Sequence, residues 1–186
     1  MRYILFVLAL VFFLSLIAKA DDAVSVVPTI ESISEDFTVP DNEGIVIINS
    51  DGGHVAVAID AAPKLYQVTC IVQRAASAAL QVLLPACKER FYLPDASLQF
   101  HGAVVVGSGQ LSEWVARDIL TALSHANTFF VNFMLSSGFP MPAASIRTGL
   151  KNETLFEGKD LGLLSPWIRP VSLCLTCPQN LDLEPQ

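Results

Sequence analysis

Charge is scarce in this chain, and basic charge is scarcest. Only 16% of the 186 residues are Asp, Glu, Lys or Arg, with 11 basic against 18 acidic side chains and a net charge of −7. There is no basic patch with interleaved aromatics and no basic amphipathic helix, which argues against nucleic acid and against an anionic membrane surface as partners. The INSDGG turn (Ile48 to Gly53) lacks the spacing of either nucleotide fingerprint, and no Gly-rich phosphate loop stands elsewhere. Histidine is limited to His54, His101 and His125, and no second Cys or His pair accompanies Cys174 and Cys177 at zinc-ligand spacing. Internal repeats and low-complexity tracts are missing too, leaving one ordinary domain as the expectation.

The longest apolar run is confined to the start. Tyr3 to Ile17 follows Arg2 and leads into Ala18-Lys19-Ala20, ahead of Asp21-Asp22. At about 15 residues it is shorter than the roughly 20 a membrane span wants, and its small-x-small ending fits a secretory signal peptide cleaved after Ala20. Without Arg2 and Lys19 the remaining 166 residues carry 9 basic and 18 acidic groups, a net charge of −9. The expected organisation is a signal peptide (1–20), an extended acidic lead-in (21–43), a domain (44–173) and a loose tail (174–186), exported to a periplasmic or extracellular space.

Four cysteines suit disulfides in such a compartment. Seven strand residues after Cys70 span roughly 23 Å and ten helical residues before Cys87 roughly 15 Å, so a helix folded back on its strand brings the two together. Cys174 and Cys177 form the other natural pair, with a local bridge as the leading reading. A thioredoxin-like motif wants a strand-to-helix setting, whereas Pro178 and a polar tail follow here.

One stretch organises the rest. Gly44 to Ile48 is apolar and ends in the turn Asn49 to Gly53, followed by a helical segment that Pro63 stops. Gln67 to Val72 is a second apolar run. It delivers Arg74-Ala75-Ala76-Ser77-Ala78-Ala79 at the start of a helix reaching about Leu84. A serine at a strand-to-helix turn can act as a nucleophile, because amide N–H groups at a helix start are unpaired and small neighbours admit a substrate backbone. His101 lies 24 residues on, after a short strand Phe91 to Leu93, a Pro-Asp turn and a second strand Leu98 to His101. An imidazole is the base such a serine needs. His54 reads as an exposed helix-start residue and His125 as a solvated or interfacial one in the long helix. Leu111 to Leu135 has helical apolar spacing with Trp114, Leu120, Phe130 and Met134, Ser136 to Thr148 reads as a Pro/Gly loop, and Leu155 to Leu164 returns to the sheet through a short helix. Asn152-Glu153-Thr154 is a glycosylation sequon, relevant in a eukaryotic host.

INSDGG, AASAA and the run Lys88 to His101, in that order and spacing, resemble the proteolytic subunit of Clp-type serine proteases, in its secreted periplasmic branch. The likeness covers roughly Gly44 to His101, with a weaker echo of a closing strand at Gly162-Leu163-Leu164. The resemblance implies an α/β fold of the ClpP/crotonase-like kind, a small twisted sheet of repeated strand-strand-helix units with a projecting C-terminal helix. It also implies Ser77 as nucleophile, His101 as general base and the Gly53 and Ala78 N–H groups as oxyanion hole. Glycine at 53 would let a substrate carbonyl approach and permit a positive φ. The aspartate that orients the family's histidine is missing, and Asn152 is expected in that role, with Glu153 as rival. No cofactor and no ATPase partner are implied; peptides or unfolded proteins are the expected substrates, and the 111–137 helix is expected to support a homo-oligomer. The missing aspartate, together with Gln73 where the family has glycine, motivates the alternative of a silent binding or assembly module. Acyl-CoA chemistry on the same fold is disfavoured outside the cytoplasm.

Overall fold

The computed structural model describes residues 27–40, 44–105 and 112–171. The expected signal peptide, much of the acidic lead-in, and Cys174 with Cys177 lie outside the described residues. The rest is a mixed α/β arrangement around a six-stranded sheet.

The sheet is built from apolar runs whose burial alternates. Strand β2 (Ile45–Ser50) buries Val46, Ile48 and Ser50, and β3 (Thr69–Ala76) buries Cys70 and Val72 before ending in buried Ala75 and Ala76. Each of these strands is followed by a helix. Helix α1 (Val55–Ala61) continues as a 3-10 turn (Ala62–Leu65) begun by Pro63, which does not end the helical path. Helix α2 opens with a π turn (Ala79–Leu83) and closes with an α turn (Leu84–Ala86). Pro85 has no N–H to offer the Gln81 carbonyl, and the wider turn accommodates that loss. Strand β1 (Thr29–Ile30) pairs with β2, and β2, β3 and β4 (Glu89–Phe100) are parallel, as helical crossovers require. Buried Ile30, Ile33 and Val39 anchor the lead-in to the core.

Four expectations need correction. The strands expected at Phe91 to Leu93 and Leu98 to His101 are one 12-residue element; Tyr92 pairs with Val72 and Ser97 with Arg74, so Leu93 to Ala96 bulges out at the Pro-Asp pair. The loop expected over Ser136 to Thr148 gives way to helix α4 (Ala143–Asn152), which follows the long α3 (Glu113–Ser136). Pro142 is the N-cap of α4, and Gly149 sits inside it because a Cβ there would meet the Phe100 ring at 2.0 Å. Both residues are breakers in isolation and serve the helix here. Gly162-Leu163-Leu164 is part of a 3-10 turn (Gly158–Leu164) that buries Leu161 and Leu164, three apart. The strand that returns to the sheet is β5 (Thr154–Glu157), antiparallel to the end of β4, and β6 (Arg169–Pro170) pairs with its beginning. In α3 only Phe130, Val131 and Met134 are buried, while Trp114 and Leu120 are exposed. No described helix is long and apolar enough to cross a membrane.

Two ties hold α2 to the sheet. Cys70 on β3 and Cys87 after α2 form a disulfide with Cα atoms 5.9 Å apart. Arg90 on β4 donates to the Leu84 and Pro85 carbonyls at 2.8 and 2.6 Å and stacks over Trp167. It satisfies the orphan carbonyls at the helix end, and burial lowers its guanidinium to about 10 without neutralising it at ordinary pH. The bridge closes a segment with a sequence separation of 17, for which chain entropy gives about 3 kcal/mol. Replacing Cys70 and Cys87 together by alanine is expected to lower unfolding stability by about that amount, measured by denaturant titration. An unchanged midpoint would mean that the bridge does not form.

Candidate active site

Ser77 stands between the last residue of β3 and the first turn of α2, and its backbone is left-handed, with φ of 51°. A side chain rarely adopts this conformation unless its surroundings enforce it. The surroundings are visible. Ser77 N–H donates to the Gln99 carbonyl on β4 at 3.0 Å, and the Ser77 carbonyl accepts from Gln81 N–H at 2.8 Å. Ala75, Ala78 and Ala79 are fully buried around it, so nothing larger than methyl groups crowds the turn. The reversal leaves Ser77 itself half-buried at the bend. Ala78 N–H, at the start of the helix, has no protein acceptor among the described residues.

The glycine turn after β2 lies against this bend. A Cβ on Gly52, whose φ is +98°, would fall 2.6 Å from Ser77 Cβ and 3.1 Å from Ala78 N. Gly52 N–H is held by Ser50 Oγ at 3.1 Å, and the Gly52 carbonyl accepts from Ile33 N–H at 3.1 Å. The 52–53 peptide is trans, so Gly53 N–H points away from the Ile33 strand, and it too lacks a protein acceptor among the described residues. The positive φ expected at Gly53 is present. The close approach to the serine belongs to Gly52. Gly53, with φ of +143°, is glycine because a Cβ would meet the Ile33 carbonyl oxygen at 2.1 Å.

His101 follows β4 directly and is half-buried. Its Nδ1 is 2.8 Å from the Gly102 carbonyl oxygen, which can only accept, so in the neutral ring Nδ1 carries the proton and Nε2 the lone pair. Three elements fix this segment. Gln81 Nε2 donates to the His101 carbonyl at 2.6 Å, Gly102 N–H donates to Leu150 at 2.6 Å, and Ala103 N–H donates to Asn127 Oδ1 at 2.8 Å. Ser77 Oγ and the His101 ring are not hydrogen-bonded to each other.

Asn152 and Glu153 are exposed at the end of α4, and Glu153 turns the chain with φ of 55° so that Thr154 can pair with Phe100. That register brings their backbone beside His101, but neither side chain bonds the ring. Asp51 and Arg74 form an exposed ion pair across the ends of β2 and β3. His54 and His125 are exposed, as expected. No group of three or more His, Cys, Asp or Glu positioned for a metal ion occurs among the described residues.

Sequence reading missed Gln81. It is fully buried, its main chain holds Ser77, its side chain holds His101, and its Oε1 has no partner. A glutamine in the run Leu80 to Leu84 was the available signal: an amide buried among leucines needs a polar task. No protein-family model matches this chain, and no curated protein matches it.

The Gly52 contact yields a direct test. Gly52→Ala places a methyl against Ser77 in a backbone region that disfavours side chains, so a stability loss above about 1 kcal/mol is expected in denaturant unfolding. Gly44→Ala, where no atom lies within 4 Å of the added Cβ, is the control with positive φ but open space. Equal losses at both positions would remove the Gly52–Ser77 contact from the account.

Proposed function

We propose that this protein is an exported serine-type peptidase of Clp-like architecture, hydrolysing peptide bonds through an acyl-enzyme on Ser77. The observation that supports the reading is the left-handed serine at a strand-to-helix bend, with Gly52 packed against it and the Ala78 N–H without a protein acceptor among the described residues. In the reaction His101 Nε2 takes the Ser77 hydroxyl proton as Oγ attacks the scissile carbonyl. The oxyanion of the tetrahedral intermediate lies on the Gly53 and Ala78 amides. His101 then returns the proton to the departing amine, and a water hydrolyses the acyl-enzyme by the reverse sequence. The hydrogen bond between Ser77 and His101 forms when substrate orders the site, as catalytic contacts that are long in the free enzyme often do.

The orienting group is the weak member. A neutral carbonyl, that of Gly102, faces Nδ1 where a carboxylate would stabilise the imidazolium, and Asn152 makes no bond to it. Changing the aspartate of a serine protease to asparagine costs on the order of 10⁴ in rate through the wrong tautomer; the Gly102 carbonyl avoids that tautomer but leaves the imidazolium without a facing negative charge. Slow turnover is therefore expected. The same observation supports the second reading, a silent relative that keeps the fold for binding. Export is supported by the Cys70–Cys87 bridge, since such bonds persist in oxidising compartments. Self-association through α3 is proposed on its exposed Trp114 and Leu120.

A fluorophosphonate probe separates the two readings. Peptide mapping is expected to locate a single adduct on Ser77, lost in Ser77→Ala and reduced at least 100-fold in rate in His101→Ala; a protein that never labels is the silent relative. Gln81→Leu fills the same space without the amide. It is expected to slow labelling at least tenfold while the melting midpoint stays within a few degrees, and unchanged labelling would remove Gln81 from the positioning of His101.

A further inference from the structure

Beyond His101 the chain floors a cleft of about 540 Å³ between α3 and α4, within the range of small-ligand sites. Gly102 and Ala103 form its base, and Leu120, Leu123 and Leu150 give it an apolar wall. Among the described residues its only charged lining groups are Arg147 and Lys151, one turn apart on α4 and so on one face. Neither forms an ion pair among the described residues, although the chain carries a net charge of −7. Asn127 adds a third donor. Its Oδ1 is committed to Ala103 N–H, so the amide's Nδ2 is left beside Gly102.

We infer that this cleft is a substrate subsite for a carboxylate-bearing peptide, with an apolar side chain against the leucine wall and the carboxylate on Arg147, Lys151 and Asn127 Nδ2. The inference rests on the peptidase reading for its link to chemistry. Two cations and an amide donor, with no carboxylate in the lining, leave a local positive field in an acidic protein, and such a field selects anions. An arginine presents paired donors to a carboxylate, while lysine supplies a point charge. The base of the cleft begins at the residue after the proposed general base. Two kinds of carboxylate satisfy this chemistry: an Asp or Glu side chain, and the free C-terminus.

Binding to the full chain carrying Ser77→Ala measures the inference without turnover. Fluorescein-labelled hexapeptides with one leucine are compared by anisotropy in four forms: Glu or Gln two residues from the leucine, each with a free or amidated C-terminus. Acid forms are expected to bind at least tenfold tighter than the neutral amide, and Arg147→Gln with Lys151→Gln is expected to abolish that difference. If the gain follows the Glu side chain, the site reads an internal residue; if it follows the free terminus, it reads a chain end. Equal affinity for acid and neutral peptides, no binding of any peptide, or acid preference that survives the double variant overturns the inference. Failure of the unmodified protein to label with the fluorophosphonate, with acid preference intact, would sink the peptidase reading and leave the ligand class standing.

Discussion

The left-handed backbone at Ser77 is the constraint on which the candidate site depends. The conformation is unfavourable for any residue with a Cβ, and it persists because β4 takes the Ser77 N–H through Gln99 and α2 takes its carbonyl through Gln81. The strand therefore reverses into a helix within one residue. That reversal leaves Ala78 N–H at the bend, and Gly52 fits against it without a side chain. A right-handed residue at position 77 would let the chain drift gradually into the helix, and the juxtaposition with the glycine turn would be lost.

The bend is stiff because both elements that make it are tied elsewhere. The Cys70–Cys87 bridge joins β3 to the far end of α2, and Arg90 gathers that helix's last carbonyls under Trp167. Gln81 then couples the helix to the end of β4 through the His101 carbonyl. Serine and histidine share one scaffold through this buried amide. Its unpaired Oε1 is the kind of cost a core tolerates when the other half of the group has a task.

Much of this was legible in the residues. The apolar runs before INSDGG and AASAA became parallel strands, because alternating burial and helical crossovers leave few other arrangements for them. The cysteine pair was legible from strand and helix lengths alone. Local breakers misled where tertiary packing reversed their meaning: Pro142 starts α4, Gly149 inside it yields to the Phe100 ring, and the Pro94-Asp95 pair makes a bulge rather than a break. Asn127 carried no signal of its own, and the tasks of Gln81 and Asn127 were hidden because each acts through a partner distant along the chain.

By itself, then, the sequence determined the strand-helix alternation, the serine placed where a strand meets a helix, the disulfide and the scarcity of basic charge. These depend on periodicity, length and composition, which are local quantities. Tertiary structure alone decided which glycine touches the serine, what faces the histidine ring and which donors share a cleft. Those are matters of how segments meet in space and how the backbone turns locally, and one residue of register or one turn of helix changes them without altering any local preference.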